Sequence, residues 1–278
     1  MNLFDLPAAR AFAGGFDPAA STAKDRPDDI LSKLSRQVVL LDGTDGFSEA
    51  RNSLLRHAEM GLLLSASNVR RSLDLMRIAS SPWAQVTLYY AAWHAGSSIL
   101  AMLGGYVGRR WWLGAERTVT GDLAIRASSA KLNRENSHRR FWVSFYDAIQ
   151  QFEPWIAKPH KGAAMPVNGD ALWMTTERNL VNYHHFEAEV QAAAFAASFD
   201  VASFPACLSG PLATQYHVSL NLLGLCLWLA DEIKLKSDML ARLGPGLSRS
   251  HAIVALVADA PHPAVSDDRL DSLLRHHK

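Results

Sequence analysis

Helical periodicity is the sequence feature that most constrains the fold of this chain. Several long segments repeat apolar residues every three to four positions, whereas few segments alternate apolar and polar residues. Proline and glycine mark the breaks between these segments, as in "SSPWAQ" and in the pair Gly104-Gly105. The pattern predicts an all-α protein, an antiparallel helical bundle with an N-terminal arm and a C-terminal helical extension. The predicted helices cover about 48–78, 82–105, 138–152, 176–198, 213–242, 249–258 and 267–276.

The breaks also suggest how the chain is divided. We expect an N-terminal arm over 1–45, a helical bundle over 46–200, and an extension over 201–278 that packs on the same core. The arm has weak periodicity apart from "QVVLLDG" (37–43), which predicts one helical or extended element. The segment "GRRWWLGAERTVTGD" (108–122) is rich in turn-forming residues and is predicted to be a loop or an irregular excursion.

Composition limits the location and the partners. Of 278 residues, 49% are hydrophobic, so the chain can bury a sizeable core, and the formal net charge of +1 leaves nucleic-acid binding to local patches. The two cysteines, Cys207 and Cys226, are read as structural and fit a reducing cytoplasm. The N-terminus lacks a secretory pattern, and the apolar run 218–230 is too short to cross a bilayer. We therefore expect a cytoplasmic protein with no membrane partner, and that run is predicted to be a buried helix.

Two segments together resemble a known superfamily. An aromatic helix, "LYYAAWHAGSSILAML", is followed later by "ERNLVNYHHF" near the start of another helix. This arrangement resembles the HEPN superfamily of α-helical RNA-acting domains, over about residues 48–200. In that superfamily an Arg and a His, four to six residues apart and often with a polar residue after the Arg, carry metal-independent RNA cleavage. Arg178-Asn179-x4-His184 fits this motif, and His185 falls within its looser spacing.

The resemblance implies an endoribonuclease that needs no cofactor and no metal and acts as a homodimer. Such proteins often work in toxin–antitoxin or antiviral defence settings, so a regulatory protein partner is also expected. The expected catalytic residues are Arg178, Asn179, His184 and His185.

The residue types suit this chemistry. RNA carries its own nucleophile, the 2′-hydroxyl, and histidine can transfer protons near neutral pH. An arginine stays charged and binds phosphate oxygens as negative charge develops in the transition state. Helical geometry places Arg178 opposite the apolar face, and Asn179 closer to the packed side, where it could orient His184 or a backbone group. Asn182 and Tyr183, which lie between the motif residues, are expected substrate contacts.

A second match to the motif, Arg51-Asn52-x4-His57, leaves an alternative open. Here Arg51 shares a helical stripe with apolar residues, Leu54, Leu55, Ala58 and Leu62. An arginine in that position is expected to extend its guanidinium out of the core or to serve at an interface. Since Arg51 also precedes the aromatic helix, whereas the superfamily's motif follows it, we favour the match at 178–184.

Two stretches interleave arginine with aromatic residues, "GRRWWLG" (108–114) and "HRRFWVSF" (138–145). Such stretches can bind RNA through phosphates and stacked bases, and in the alternative the rings belong to the core and the arginines are solvated. The expected RNA contacts there are Arg109, Arg110, Trp112, Arg139 and Arg140.

Two other functions stay open. A HEPN-like module without activity would bind RNA or a protein partner, and a metal-dependent enzyme would use dispersed histidines. For the latter, His185 and Glu189 are four residues apart and could share a metal with a third ligand. His94, inside the aromatic helix, is expected to be a hydrogen-bonded core histidine rather than a site residue.

Overall fold

The structure is a computed structural model that describes residues 5–20, 27, 37–77, 81–108, 111–129, 137–183 and 215–236. It is mostly helical and contains one small antiparallel sheet. The helices are α1 (Leu6–Gly14), α2 (Asp45–Arg77), α3 (Ser81–Met102), α4 (Ser137–Phe152), α5 (Trp173–Tyr183) and α6 (Gln215–Glu232), and the strands are β1 (Gln37–Leu41), β2 (Tyr106–Val107), β3 (Trp111–Arg117) and β4 (Leu123–Ser129). Short 3₁₀ turns lie at Pro18–Ala20, Glu153–Trp155, Lys158–Ala164 and Val167–Gly169.

The helix predictions are confirmed for α2, α3 and α4, whose ends lie within three residues of the expected positions. The helix that carries the motif begins at Trp173, and the predicted part beyond Tyr183 lies outside the described residues. The prediction that the last long helix reaches 242 is wrong, because α6 ends at Glu232. The predicted helices near 249–258 and 267–276 lie outside the described residues.

The sheet is the main departure from the predicted all-α fold. Its strands run in the order β1-β4-β3-β2, and every pair is antiparallel, with Val39 opposite Arg126 and Leu113 opposite Ala127. The prediction of a loop at 108–122 is therefore wrong, since β3 occupies Trp111–Arg117. A tight turn joins β3 to β4, and its Gly121 has φ +90°, a backbone angle that favours glycine.

Two helices end in the same hydrogen-bonded C-terminal turn. After α3, the Gly105 N–H donates to the Leu100 carbonyl at 2.7 Å and the Gly104 N–H to Ala101 at 3.0 Å. After α6, the Leu235 N–H donates to Ala230 at 2.9 Å, and Lys234 takes the left-handed position with φ +53°. These are Schellman motifs, and they explain why both helices stop where they do.

The chain forms two compact units, each made of separate stretches. Unit 1 comprises 1–61, 97–156 and 228–238, and unit 2 comprises 62–96, 157–227 and 239–278. The predicted three-region organisation, with limits at 45 and 200, stays a prediction.

Unit 1 contains the sheet and an aromatic core. In α1, Asp5 caps the N-terminus by accepting a hydrogen bond from the Ala8 N–H at 2.8 Å, and Phe12 packs edge-on against Phe47. Burial of one such ring contributes roughly 1.5–3 kcal/mol. The buried aromatic face of α4 consists of Phe141, Trp142, Phe145 and Tyr146. Burial raises the pKa of Tyr146 far above its ordinary value, so this phenol stays neutral.

Unit 2 contains most of α3 and α6. Residues 218–227 of α6 are all buried, which confirms that the apolar run forms a buried helix. The Ser219 hydroxyl donates to the Leu88 carbonyl at 2.8 Å, so a buried polar group has its partner. Within the described ranges, no helix combines the length and apolar character needed to cross a bilayer.

Candidate functional site

The expected site begins on α5. Asp170 forms the turn that precedes this helix, since its carboxylate accepts from the Leu172 N–H at 2.8 Å and its carbonyl accepts from the Trp173 N–H at 3.2 Å. Met174 and Thr175 are then buried, with 2% and 6% exposure. Arg178 and Asn179 follow one turn later, and both are half-buried.

Two neighbours hold the guanidinium of Arg178. Its Cζ lies 5.3 Å from the centroid of the Tyr89 ring, on α3, and that ring is completely buried. Its Nη2 donates to Oδ1 of Asn179 at 2.7 Å. A cation over a ring face and a neutral hydrogen-bond acceptor both orient the guanidinium without neutralising its charge. Among the described residues, no carboxylate forms an ion pair with it.

Most hydrogen-bond donors of this guanidinium have no acceptor within the described part of the chain. A guanidinium has five N–H donors, and only one is used by Asn179. Nε is buried without a partner there, and so is Oγ1 of Thr175, three residues earlier on the same side of α5. Buried polar atoms are normally satisfied, but Nε of Arg51 is buried without a described partner as well, so this feature alone does not distinguish Arg178 as a binding site.

The placement of two motif residues differs from the expectation. Arg178 was expected on the side of the helix away from the packed core, yet it lies half-buried over Tyr89, because a planar cation can pack against a ring. Asn179 was expected to orient His184 or a backbone group, and in the structure its amide oxygen orients Arg178. His184 and His185 lie outside the described residues, as do the side chains of Asn182 and Tyr183.

The second motif match is built into unit 1. The Arg51 guanidinium lies 5.5 Å from the Phe47 ring centroid and against Gly15, where a Cβ would come within 2.1 Å of its Nη1. Asn52 is buried, and its Oδ1 accepts from the Asp17 N–H at 3.1 Å. These contacts join α2 to the N-terminal segment.

The histidine of that second match has polar and aromatic contacts of its own. Nε2 of His57 lies 2.8 Å from the Ser97 hydroxyl, and its ring meets Tyr106 edge-on. Each of the three residues of this match therefore has a packing or hydrogen-bonding contact within unit 1, although Nε of Arg51 is buried without a partner among the described residues.

The basic–aromatic stretches are distributed differently. Phe141, Trp142 and Phe145 are buried in the core of unit 1, which is the second of the two alternatives for 138–145. Arg139 is exposed and Arg140 half-buried on the same helix, and their RNA contacts stay predictions.

The other stretch lies in the sheet. Trp112 is half-buried in β3, opposite Val107 on one side and Ser128 on the other. Arg109 and Arg110 lie outside the described residues, so the RNA contacts predicted for 108–114 stay predictions as well.

The remaining titratable candidates have separate surroundings. Burial lowers the pKa of His94 to about 4, so this imidazole is neutral at pH 7. Its side chain is half-buried, and the hydrogen bond expected for it stays a prediction. His185 and Glu189, considered as a metal pair, lie outside the described residues, as does Cys207. Within the described ranges no three His, Cys, Asp or Glu side chains converge, and Cys226 is buried.

Sequence reasoning missed the role of Tyr89. The pair Tyr89-Tyr90 was visible in the aromatic helix, but periodicity along α3 cannot indicate which ring meets an arginine 89 residues later. The only local signal was that two adjacent tyrosines on a helix must point to different faces.

Comparisons of the chain with protein-family models, with curated proteins and with solved structures found no match.

Proposed function

We propose that this protein is a metal-independent endoribonuclease of HEPN type. The observation that supports the proposal best is the Arg178 guanidinium, oriented by Tyr89 and Asn179 and with most of its donors unused by described residues. A charge that is already oriented and partly desolvated can stabilise a developing phosphorane without reorganising.

The proposed reaction uses the RNA's own hydroxyl. His184 removes the proton from the 2′-hydroxyl, and the 2′-oxygen then forms a bond to phosphorus while the bond from phosphorus to the 5′-oxygen breaks. A second imidazole, that of His185 or of the other subunit, donates the proton that the departing 5′-oxygen needs. Arg178 binds the non-bridging oxygens, and the products carry a 2′,3′-cyclic phosphate and a 5′-hydroxyl.

The proposal includes a dimer. If α5 continues through His184, the six-residue separation places Arg178 and His184 about 9 Å apart along the axis. That separation is wide for one phosphate, and two copies around a two-fold axis would bring both pairs to a shared bond. We also propose that the enzyme acts in the cytoplasm and is restrained by a regulatory protein partner, as in toxin–antitoxin or antiviral defence systems.

An RNA cleavage assay with excess chelator tests the proposal. We expect activity to persist in chelator and to fall about 10²- to 10³-fold in Arg178→Ala and 10²- to 10⁴-fold in His184→Ala. The matched control is Arg71→Ala, which removes an exposed arginine of α2 and should leave cleavage unchanged. Turnover that chelator abolishes would support a metal-dependent enzyme instead, and unchanged activity in both variants would contradict the proposed site.

A second candidate is an inactive HEPN-like module that binds RNA or a protein. The observation that favours it is the half-buried packing of Arg178 over Tyr89, with Nε hidden, as in an arginine with a purely structural role. Under this alternative the protein binds RNA or a protein without turnover, and Arg178→Ala lowers thermal stability rather than a rate.

A further inference from the structure

Helix α3 is buried on all sides except one. Between Trp83 and Gly96, five side chains reach the surface, those of Trp83, Thr87, Tyr90, Trp93 and His94. All the other residues in this range are buried. Two of the five side chains are large and exposed, Trp83 at 63% and Tyr90 at 37%. Trp83, Thr87, Tyr90 and His94 recur at helical spacing and form one line, which we call the aromatic stripe.

The aromatic stripe is connected to Arg178 by direct ring contacts within unit 2. The guanidinium carbon lies 5.3 Å from the centroid of Tyr89, and the Tyr89 centroid lies 5.4 Å from that of Tyr90. The buried ring of Tyr89 thus separates an incompletely satisfied cation from an exposed aromatic ring.

We infer that the aromatic stripe is a stacking platform for unpaired bases of single-stranded RNA whose phosphate is bound by Arg178. The inference rests on the proposed function for the position of the scissile phosphate. Arg178 and the exposed ring of Tyr90 are two contacts apart, through the buried ring of Tyr89. Exposed rings together with a cation are the combination that binds single strands, because every base has a flat face and every linkage a charge. Trp83 and Tyr90 are two turns apart, roughly 10 Å, which is about three stacking steps of 3.4 Å.

The size of the stripe favours RNA over a protein partner. A stable protein interface buries about 800 Å² on each side. The two rings together offer at most about 500 Å², and between Trp83 and Gly96 the only other side chain that reaches the surface beside the stripe is Trp93. Bases in a duplex are already stacked on their neighbours, so the platform selects unpaired nucleotides.

Anisotropy of a fluorescein-labelled decanucleotide carrying 2′-O-methyl groups tests the inference, since this RNA cannot be cleaved by 2′-hydroxyl attack. We expect Trp83→Ala and Tyr90→Ala each to weaken single-strand binding roughly five- to 150-fold. Trp83→Phe and Tyr90→Phe keep a ring and should retain most of the affinity. Trp155→Ala removes a tryptophan that is 45% exposed in unit 1 and should have no effect. The aromatic variants should also leave unchanged the slope of affinity against salt, which reports phosphate contacts.

The inference would be overturned if the unmodified protein did not bind the single strand, or if the alanine variants bound it as tightly as the unmodified protein does. An equal loss of affinity for the matching duplex in the alanine variants would also overturn it. A change of oligomeric state in the alanine variants, seen by light scattering with affinity otherwise unchanged, would assign the stripe to a protein interface and overturn it too. Cleavage of unmodified RNA is measured separately. RNA binding that depends on the rings, without any cleavage, would support the stacking platform and contradict the proposed nuclease function. Cleavage that is unaffected by removing either ring would support the nuclease function and contradict the stacking platform.

Discussion

Glu59 is a carboxylate with no exposed surface, in the middle of α2. Its Oε2 lies 2.5 Å from Nη1 of Arg56, and Arg56 Nη2 also donates to the Pro18 carbonyl at 2.5 Å. Removing one partner of a buried pair leaves the other charge desolvated and uncompensated. We therefore expect Glu59→Ala to lower the free energy of unfolding by about 3 kcal/mol, measured by urea denaturation followed by circular dichroism.

A surface pair on the same helix provides the control. Arg70 and Asp74 are 3.5 Å apart, and the Asp74 side chain is 53% exposed. Because water screens the charges of such a pair, Asp74→Asn should lower the free energy of unfolding by less than about 0.5 kcal/mol. If both variants lost the same free energy of unfolding, burial would not be the reason for the effect at Glu59.

His94 makes stability depend on pH in a defined window. Burial lowers its folded-state pKa to about 4, whereas the unfolded chain titrates near 6.5. Between these values the unfolded state binds more protons, so the free energy of unfolding falls as the pH is lowered from 6.5 to 4 and is flat above that range. The expected loss from this residue between pH 7 and pH 5 is about 2 kcal/mol, measured by urea denaturation at each pH.

His94→Asn is the comparison for that titration, because an amide does not ionise. Burial also lowers the pKa of His160, but His160 is present in both proteins and its effect cancels. The variant should lose less stability on acidification than the unmodified protein. Parallel pH profiles for the two proteins would show that His94 is not the group responsible.

The two matches to the Arg-Asn-x4-His motif show how much a short sequence pattern can predict about the surroundings of a side chain. Arg178 and Arg51 have the same motif, yet one lies over Tyr89 and the other against Gly15 and Phe47. From the helical stripe of Leu54 and Leu55, Arg51 was expected to extend out of the core or to serve at an interface. In the structure its guanidinium lies against Phe47 and Gly15. The contact between Arg178 and Tyr89 joins positions far apart in the sequence, so no local pattern could predict it.

The two Schellman turns give matched helix ends with different residues in the left-handed position. A side chain with a Cβ costs about 1–2 kcal/mol in that conformation, and glycine avoids this cost but has more freedom in the unfolded chain. Since Lys234 has φ +53°, we expect Lys234→Gly to raise the free energy of unfolding by about 0.5–1 kcal/mol. Gly104 has φ +73°, and Gly104→Ala should lower it by about 1–2 kcal/mol.

Thermal and urea unfolding of the two variants measure this pair of opposite effects. Because the turns have the same hydrogen bonds, each variant is the control for the other. A destabilising Lys234→Gly would mean that the lysine side chain contributes more than its backbone strain costs.

The helices were predictable and the sheet was not, for a physical reason. In β4, Leu123, Ala124 and Ile125 are all buried, so both faces of this strand are covered and no alternation of polar and apolar residues appears. The one local signal for a hairpin is the turn "TVTGD", with Gly121, and it lies in the segment predicted to be a loop. In contrast, α4 has one buried aromatic side and one polar side, and its periodicity is evident from sequence.

The organisation of the whole chain depends on contacts between distant residues. Within unit 1, Arg10 forms an ion pair with Glu232 and donates from Nε to its carbonyl at 2.8 Å, across 222 positions. Within unit 2, Ser219 bonds to Leu88 across 131 positions. Patterns within a window of one helix carry no information about such pairs, so contiguous regions were the natural expectation and interleaved units could not be inferred.

The proposed composite site makes activity depend on protein concentration. If two subunits supply one site, dilution below the dimer dissociation constant should lower the activity per subunit by mass action. With a tenfold excess of Arg178→Ala subunits, most unmodified subunits should be in mixed dimers that lack one guanidinium. Because only the remaining unmodified dimers keep a complete site, cleavage should fall at least about fivefold. The same excess of Arg71→Ala, which leaves the site complete, should add activity. Analytical ultracentrifugation at the assay concentrations gives the oligomeric state, and full activity per subunit in a monomeric sample would contradict the shared site while leaving Arg178 as a residue of a site within one chain.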